Sequence, residues 1–176
     1  EGRNIQPALE QFLLRLSPRV KGQKAGPLVG AKEDPGDAAI RVAAALDNSY
    51  LYVQGPPGSG KSTTAARMIL ALVAKKARLG VTANSHKVIL NLLDKVLEEA
   101  SKSGQEVRVG KVGENDFAEF QKKWPRVRLI KSNGAASTMS SLDVIGGTAW
   151  LFARPDMVGA LDYLFVDEAS QVAVAR

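Results

Sequence analysis

Apolar positions along this chain follow two rhythms. Short apolar runs without strict polar alternation fall at residues 50–54, 81–83, 106–110, 127–130, 142–147 and 161–166. Such runs predict strands buried on both faces. Between them, apolar residues recur at helical spacing and predict helices over 38–46, 62–78, 85–101 and 115–123. In the third of these Ile89, Leu92, Leu93, Val96 and Leu97 share one side. A further amphipathic helix over 5–16 would align Leu9, Phe12, Leu13 and Leu16. Asp37 and Ser85 are placed as N-caps, and Gly80 as a helix stop. Residues 17–36, rich in Gly, Pro and Lys, predict a linker, and the small polar stretch 132–141 an exposed loop. Strands alternating with helices predict an α/β fold of three layers around a mainly parallel central sheet.

The stretch between the first strand and the helix after it carries chemistry. Gly55-Pro56-Pro57-Gly58-Ser59-Gly60-Lys61-Ser62 fits the phosphate-binding pattern G-x-x-x-x-G-K-[ST] at every required position. Glycines let the backbone turn its N–H groups onto phosphate oxygens, and the following helix points its positive end at the same place. Thr63 continues that first helical turn. Lys61 supplies a full charge at the outer phosphates and the Ser62 hydroxyl a ligand for Mg²⁺.

A second box closes the last strand. In Tyr163-Leu164-Phe165-Val166-Asp167-Glu168-Ala169-Ser170-Gln171 an apolar run delivers two carboxylates to a strand's carboxyl end. Open parallel sheets bind ligands at that edge. Asp167 is suited to hold Mg²⁺ through a water, and Glu168 to polarise the water that attacks the terminal phosphate.

Composition narrows the classes. With 176 residues the chain can bury one core of ordinary size. The count of zero cysteines excludes disulfides and thiolate metal sites. There is neither an export signal nor an apolar run long enough to cross a bilayer, so a cytoplasmic location without membrane association is expected. A net charge of +6 fits either a nucleic-acid partner or a solvated lysine-rich surface. Arg15, Arg19, Lys21 and Lys24 read as a solvated cluster. Lys122-Lys123-Trp124-Pro125-Arg126-Val127-Arg128 reads either as a base-and-phosphate contact or as a turn around a partly buried Trp. Trp150 and Phe152 are expected in the core. The first residue is not methionine and the last follows the acidic box closely, which predicts a fragment of a larger protein.

Asp167-Glu168-Ala169-Ser170-Gln171 resembles the DEAxQ box of superfamily 1 helicases of the 5′-to-3′ branch. The glycine loop resembles that branch's GPPGTGKT, with serine at two threonine positions. Val81-Thr82-Ala83-Asn84-Ser85-His86-Lys87-Val88 resembles helicase box Ia, and Val144-Ile145-Gly146-Gly147-Thr148-Ala149-Trp150 resembles box Ic. The wording of box Ia is similar to that in the helicase half of bacterial proteins that fuse a RecB-like nuclease to such a motor.

The resemblance implies a RecA-like, P-loop NTPase fold over residues 37–176; the helix and linker of residues 1–36 read from their own composition as an opening that a neighbouring domain could share. It implies ATP and Mg²⁺ as cofactors, held by Gly55, Pro56, Pro57, Gly58, Ser59, Gly60, Lys61, Ser62 and Thr63, with Asp167 on the metal and Glu168 as base. Gln171 would couple nucleotide state to the motor. Ser85, His86 and Thr148 would touch a single-stranded DNA or RNA backbone; His86 reads equally well as an exposed helix-start residue. The implied partners are that strand, a second RecA-like domain and an upstream nuclease domain. The adenine-reading glutamine common upstream of the loop has no counterpart, since Asp37 and Asn48 stand there instead. The arginines of later boxes lie beyond Arg176, so weak hydrolysis by this piece alone is expected. A small-molecule kinase and a nucleotide-dependent binding module are the competing functions.

Overall fold

The computed structural model describes residues 6–23, 26–56 and 58–169. The chain forms two compact units, residues 1–64 and 65–176.

In the first unit, helix α1 (Pro7–Leu13) is shorter than its apolar spacing predicts. Its expected buried face is not buried: Leu9, Phe12 and Leu13 are exposed, while Gln11 is covered and accepts a hydrogen bond from the Ser49 hydroxyl. Helix α2 (Pro35–Ala45) starts earlier than expected. Asp34 rather than Asp37 is the cap, accepting from the N–H groups of Gly36 at 2.8 Å and Asp37 at 3.1 Å. Pro35, with its preset φ, opens the helix at no hydrogen-bonding cost. Arg19 is exposed, as expected, and also bonded. Its guanidinium donates to the carbonyls of Asp47 and Asn48 beside a Val20–Leu46 bridge. The expected strand over 50–54 is absent among the described residues. A β-prone run becomes a strand only when another backbone pairs with it, and none does. Tyr50 instead packs edge-on against Phe12 and donates its hydroxyl to the Leu16 carbonyl at 2.8 Å.

The second unit is built on five parallel strands, β1 (Leu79–Thr82), β2 (Val109–Val112), β3 (Arg128–Ile130), β4 (Val144–Gly146) and β5 (Tyr163–Val166). Their order across the sheet is β3-β2-β4-β1-β5. Helix α3 (Lys61–Ala74) buries Ala66, Ile69, Leu72 and Val73. Its expected stop is displaced: Lys76, in the left-handed region at φ 62°, turns the chain, and Gly80 lies inside β1. A Cβ on Gly80 would come 2.7 Å from Leu161 Cδ1, so glycine there serves packing, not helix termination.

Helix α4 (His86–Ser103) runs as the spacing predicts, capped by the Ser85 hydroxyl at 3.2 Å from Val88 N and ended by Gly104 at φ 67°. It covers one face of the sheet, with Ile89 and Leu93 directly over Gly146. The other face holds an apolar layer of Ile130, Ala135, Met139, Leu142, Ile145, Leu151 and Met157. Ala135 and Met139 come from residues 132–141, where a loop was expected. That stretch forms short helical turns around α6 (Ala135–Thr138), since two of its few apolar residues reach the core. Helices α5 (Phe117–Lys123) and α7 (Ala149–Phe152) complete the unit. Helices on both faces of an all-parallel sheet give the α/β, RecA-like P-loop class expected from the sequence.

Two matched ties hold the sheet's amino edge. Arg78 gives its backbone N–H and guanidinium to Asp162, and Arg108 gives the same pair to Asp143. Each residue before one strand is thereby clamped to the residue before a neighbour.

Candidate nucleotide site and nucleic-acid edge

The glycine loop lies in the first unit, apart from Pro57, which is outside the described residues. Gly58 and Gly60 sit at φ 78° and 82°, where a side chain would strain the backbone. Gly55 meets a different limit. A Cβ there would stand 2.6 Å from Ser59 Oγ and fill the loop's concavity. Pro56 closes the turn by accepting from Ser59 N at 3.2 Å, and Thr64 N bonds the Gly60 carbonyl at 2.9 Å as the helix starts. Lys61 is the first residue of α3. Its ammonium donates to the Gly55 and Pro56 carbonyls at 2.7 and 2.8 Å, curled over the loop. Ser62 is exposed and Thr63 half-buried in the first helical turn.

This loop fits a triphosphate. Its concavity is kept open by a glycine that a methyl group would close, and its one charged donor is a lysine that already bridges that concavity's rim. The Ser62 hydroxyl at the start of the helix is a hard oxygen of the kind that Mg²⁺ takes.

The acidic box lies in the second unit at the carboxyl end of β5. Asp167 N donates to the Thr82 carbonyl at 2.9 Å, extending the β1–β5 ladder past Val166. Asp167 is half-buried and its Oδ1 accepts from Glu168 N at 2.9 Å. Glu168 is exposed, with a backbone φ of 50° that non-glycine residues seldom adopt. Beneath the box the Thr82 hydroxyl is buried without a hydrogen-bond partner. Gln171 and Ser170 lie outside the described residues.

The same edge carries the residues expected at a nucleic-acid backbone. Ser85 spends its hydroxyl oxygen on the α4 cap. His86 opens α4 and is half-buried, with Nδ1 enclosed and unpartnered. Thr148 caps α7 without a side-chain hydrogen bond. Strands β1 and β4 are neighbours, with Val81 beside Gly146 and Gly147 N donating to the Val81 carbonyl at 3.0 Å. The segments bearing Ser85 and His86 and the segment bearing Thr148 therefore leave the sheet side by side.

Sequence reasoning missed Lys111. It is fully buried in β2, and its ammonium donates to the carbonyls of Gly113 at 2.6 Å and Asn115 at 3.1 Å. Gly113, at φ 90°, lies against the His86 ring, 3.1 Å from Cε1 to a Cβ built on it. Burial, then the nearby Lys111 charge, holds His86 below the usual imidazole range, against the opposite pull of Asp116. Burial likewise lowers Lys111. The available signal was a lone lysine between Gly110 and Val112 in an apolar run.

Trp124 has its Nε1 on Asp94 at 2.6 Å, so the stretch around it is a turn with a partly buried indole. Phe152 packs on the apolar layer as expected, but Trp150 is 85% exposed. Among the described residues no helix is long and apolar enough to cross a membrane.

The chain is 28% identical over 133 residues to the DNA replication ATP-dependent helicase/nuclease DNA2 of Saccharomyces cerevisiae. That match covers 71% of this chain but 8% of the yeast protein. The AAA domain family model matches residues 34–131, from the cap of α2 through β3. More than half of the chain lies inside that match, and the chain belongs to the AAA domain family, in the form of a superfamily 1 helicase motor domain.

Proposed function

We propose that this chain is the first RecA-like domain of an ATP-dependent helicase or translocase that moves along a single nucleic-acid strand. The observation that carries the reading is the glycine loop, with two left-handed glycines and an open concavity, delivering Lys61 at the first residue of a 14-residue helix. Gly55, Pro56, Pro57, Gly58, Ser59, Gly60, Lys61, Ser62 and Thr63 bind the phosphates of ATP. Ser62 and Asp167 hold Mg²⁺, which supplies charge neutralisation at the phosphate oxygens when bound. Glu168 orients and deprotonates water, and Gln171 couples nucleotide state to the motor. The Thr148 hydroxyl and the His86 imidazole meet strand phosphates, which position a strand without reading its sequence. Residues 37–176 form the ATP-binding domain, and residues 1–36 belong to a neighbouring element. In the parent protein a second RecA-like domain and an upstream nuclease domain are its covalent partners, and travel is 5′-to-3′.

The test is ATP turnover by the parent protein with and without single-stranded DNA or RNA. Stimulation by the strand is expected. Lys61→Ala should weaken triphosphate binding, whereas Glu168→Gln should retain it and lower turnover by about 10³-fold or more. Wild-type turnover in the Glu168→Gln protein would remove its role as base. Phosphate transfer to a metabolite, with no response to a strand, would replace the motor by a kinase. Tight binding without turnover would replace it by a switch module.

A further inference from the structure

The two tryptophans of this chain are treated differently. Trp124 is anchored through Asp94, with the Lys123 ammonium 5.4 Å from its ring centre. Trp150 is 85% exposed, although Leu151 next to it is buried and Phe152 packs on the core. A large apolar ring left in water beside two residues that pack on the core points to something that covers it in use.

Its place indicates what. Trp150 sits in the segment that leaves β4, two residues after Thr148, alongside the segment that carries His86 from β1. Residues 83–88 and 147–153 contain no acidic side chain, and Lys87 is exposed. Ala149 beside it on α7 and the C-cap Ala153 are small and exposed, and the indole itself is open to solvent. The segments that leave the neighbouring strands β1 and β4 thus bring an exposed aromatic ring together with the Thr148 hydroxyl, the His86 imidazole and the Lys87 ammonium at one end of the sheet. This combination has the chemistry of a stacking surface for a nucleobase beside groups that meet phosphate.

We propose that Trp150 is a base-stacking platform for the single strand, sequence-tolerant because every base offers a π-face. The inference rests on the single-strand reading above and adds to it a contact with bases.

Fluorescence tests it in the full chain. Trp124→Phe leaves Trp150 as the sole indole. The probes are an oligothymidylate and an abasic oligonucleotide of equal length, which has the phosphates without the bases. Saturable quenching of Trp150 by oligothymidylate is expected, with little change on the abasic strand. In the otherwise wild-type chain, Trp150→Ala should weaken oligothymidylate binding about tenfold and leave abasic binding unchanged. Trp150→Tyr should restore part of the loss. Tight, salt-dependent binding of oligothymidylate with no change at Trp150, and full affinity in Trp150→Ala, would overturn the platform while leaving the strand reading intact. Equal losses on both probes would make Trp150 a structural residue. A blue shift that depends only on protein concentration would assign the ring to self-association. No binding of either probe by the wild-type chain would overturn both readings.

Discussion

A fully buried lysine beside the chain's sole histidine is an arrangement with a measurable signature. The groups facing His86 are Lys111 from β2 and Asp116 from the turn that follows. Because burial and Lys111 favour the neutral imidazole, the one histidine C–H resonance should titrate below the ordinary value of 6.5. Lys111→Met removes the positive neighbour and should move that midpoint upward; an unchanged midpoint would show that the ammonium does not act on the ring. The sign for stability follows. Above pH 6.5 the imidazole is neutral in both the folded and unfolded chain, and nothing is lost. As pH falls below it the unfolded chain takes up a proton that the folded chain resists, so stability declines until the folded pKa is passed. Gly113→Ala, at φ 90° and pressed on the same ring, should cost about 1–2 kcal/mol in denaturant unfolding. Lys111 was hidden in the sequence because a charge is counted as surface until its partners are known, and those partners are backbone carbonyls that composition cannot reveal. Trp150 erred the opposite way: its apolar character suggested burial, and only the turn of α7 decides which of the aromatic positions 150 and 152 faces water.

At the level of elements, legibility followed local against tertiary control. Helix α4 was readable because its cap, apolar stripe and terminal glycine lie within its own residues. All five strands of the second unit were readable as apolar runs, with ends shifted by a few residues, but only β1, β2 and β4 are buried along their length; β3 and β5 are the edges of the sheet and leave Leu129, Leu164 and Val166 exposed. Residues 50–54 were not, because pairing is decided by a partner strand. The glycine loop and acidic box were legible as motifs, whereas what surrounds them was not. The Arg–Asp ties at the amino edge combine distant residues and could not be read from spacing. Of the two, Asp143 is the more enclosed, with 17% of its side chain exposed against 41% for Asp162. Burial alone would raise the Asp143 carboxyl, but the Arg108 guanidinium and backbone N–H outweigh it and hold the group below 3.8. A depressed carboxylate stabilises the fold above its unfolded pKa, and that contribution is lost as pH falls through the folded value. Asp143→Asn should therefore cost on the order of 1–2 kcal/mol at neutral pH, more than Asp162→Asn, and flatten the acid limb of the stability profile below about pH 4. Equal acid limbs in variant and wild type would remove Asp143 from that account.

At the scale of the molecule, the family match runs from α2 through β3, and the yeast relative is more than ten times longer than the region it shares with this chain. The strand order carries a further consequence. β4 lies between β1 and β2, yet it is made after both of them. As the chain leaves the ribosome, β2 can pair with β3, but β1 has no permanent neighbour and β2 keeps one open edge until residues 144–146 appear and slide between them. Their edges wait unpaired through that interval, which is when a nascent chain is open to aggregation. A chain halted at residue 141 should be cut readily by protease, and one extended through residue 169 should resist. Assembly of this sheet is thus a late insertion, timed by translation, and it is finished only when β5 covers the other edge of β1.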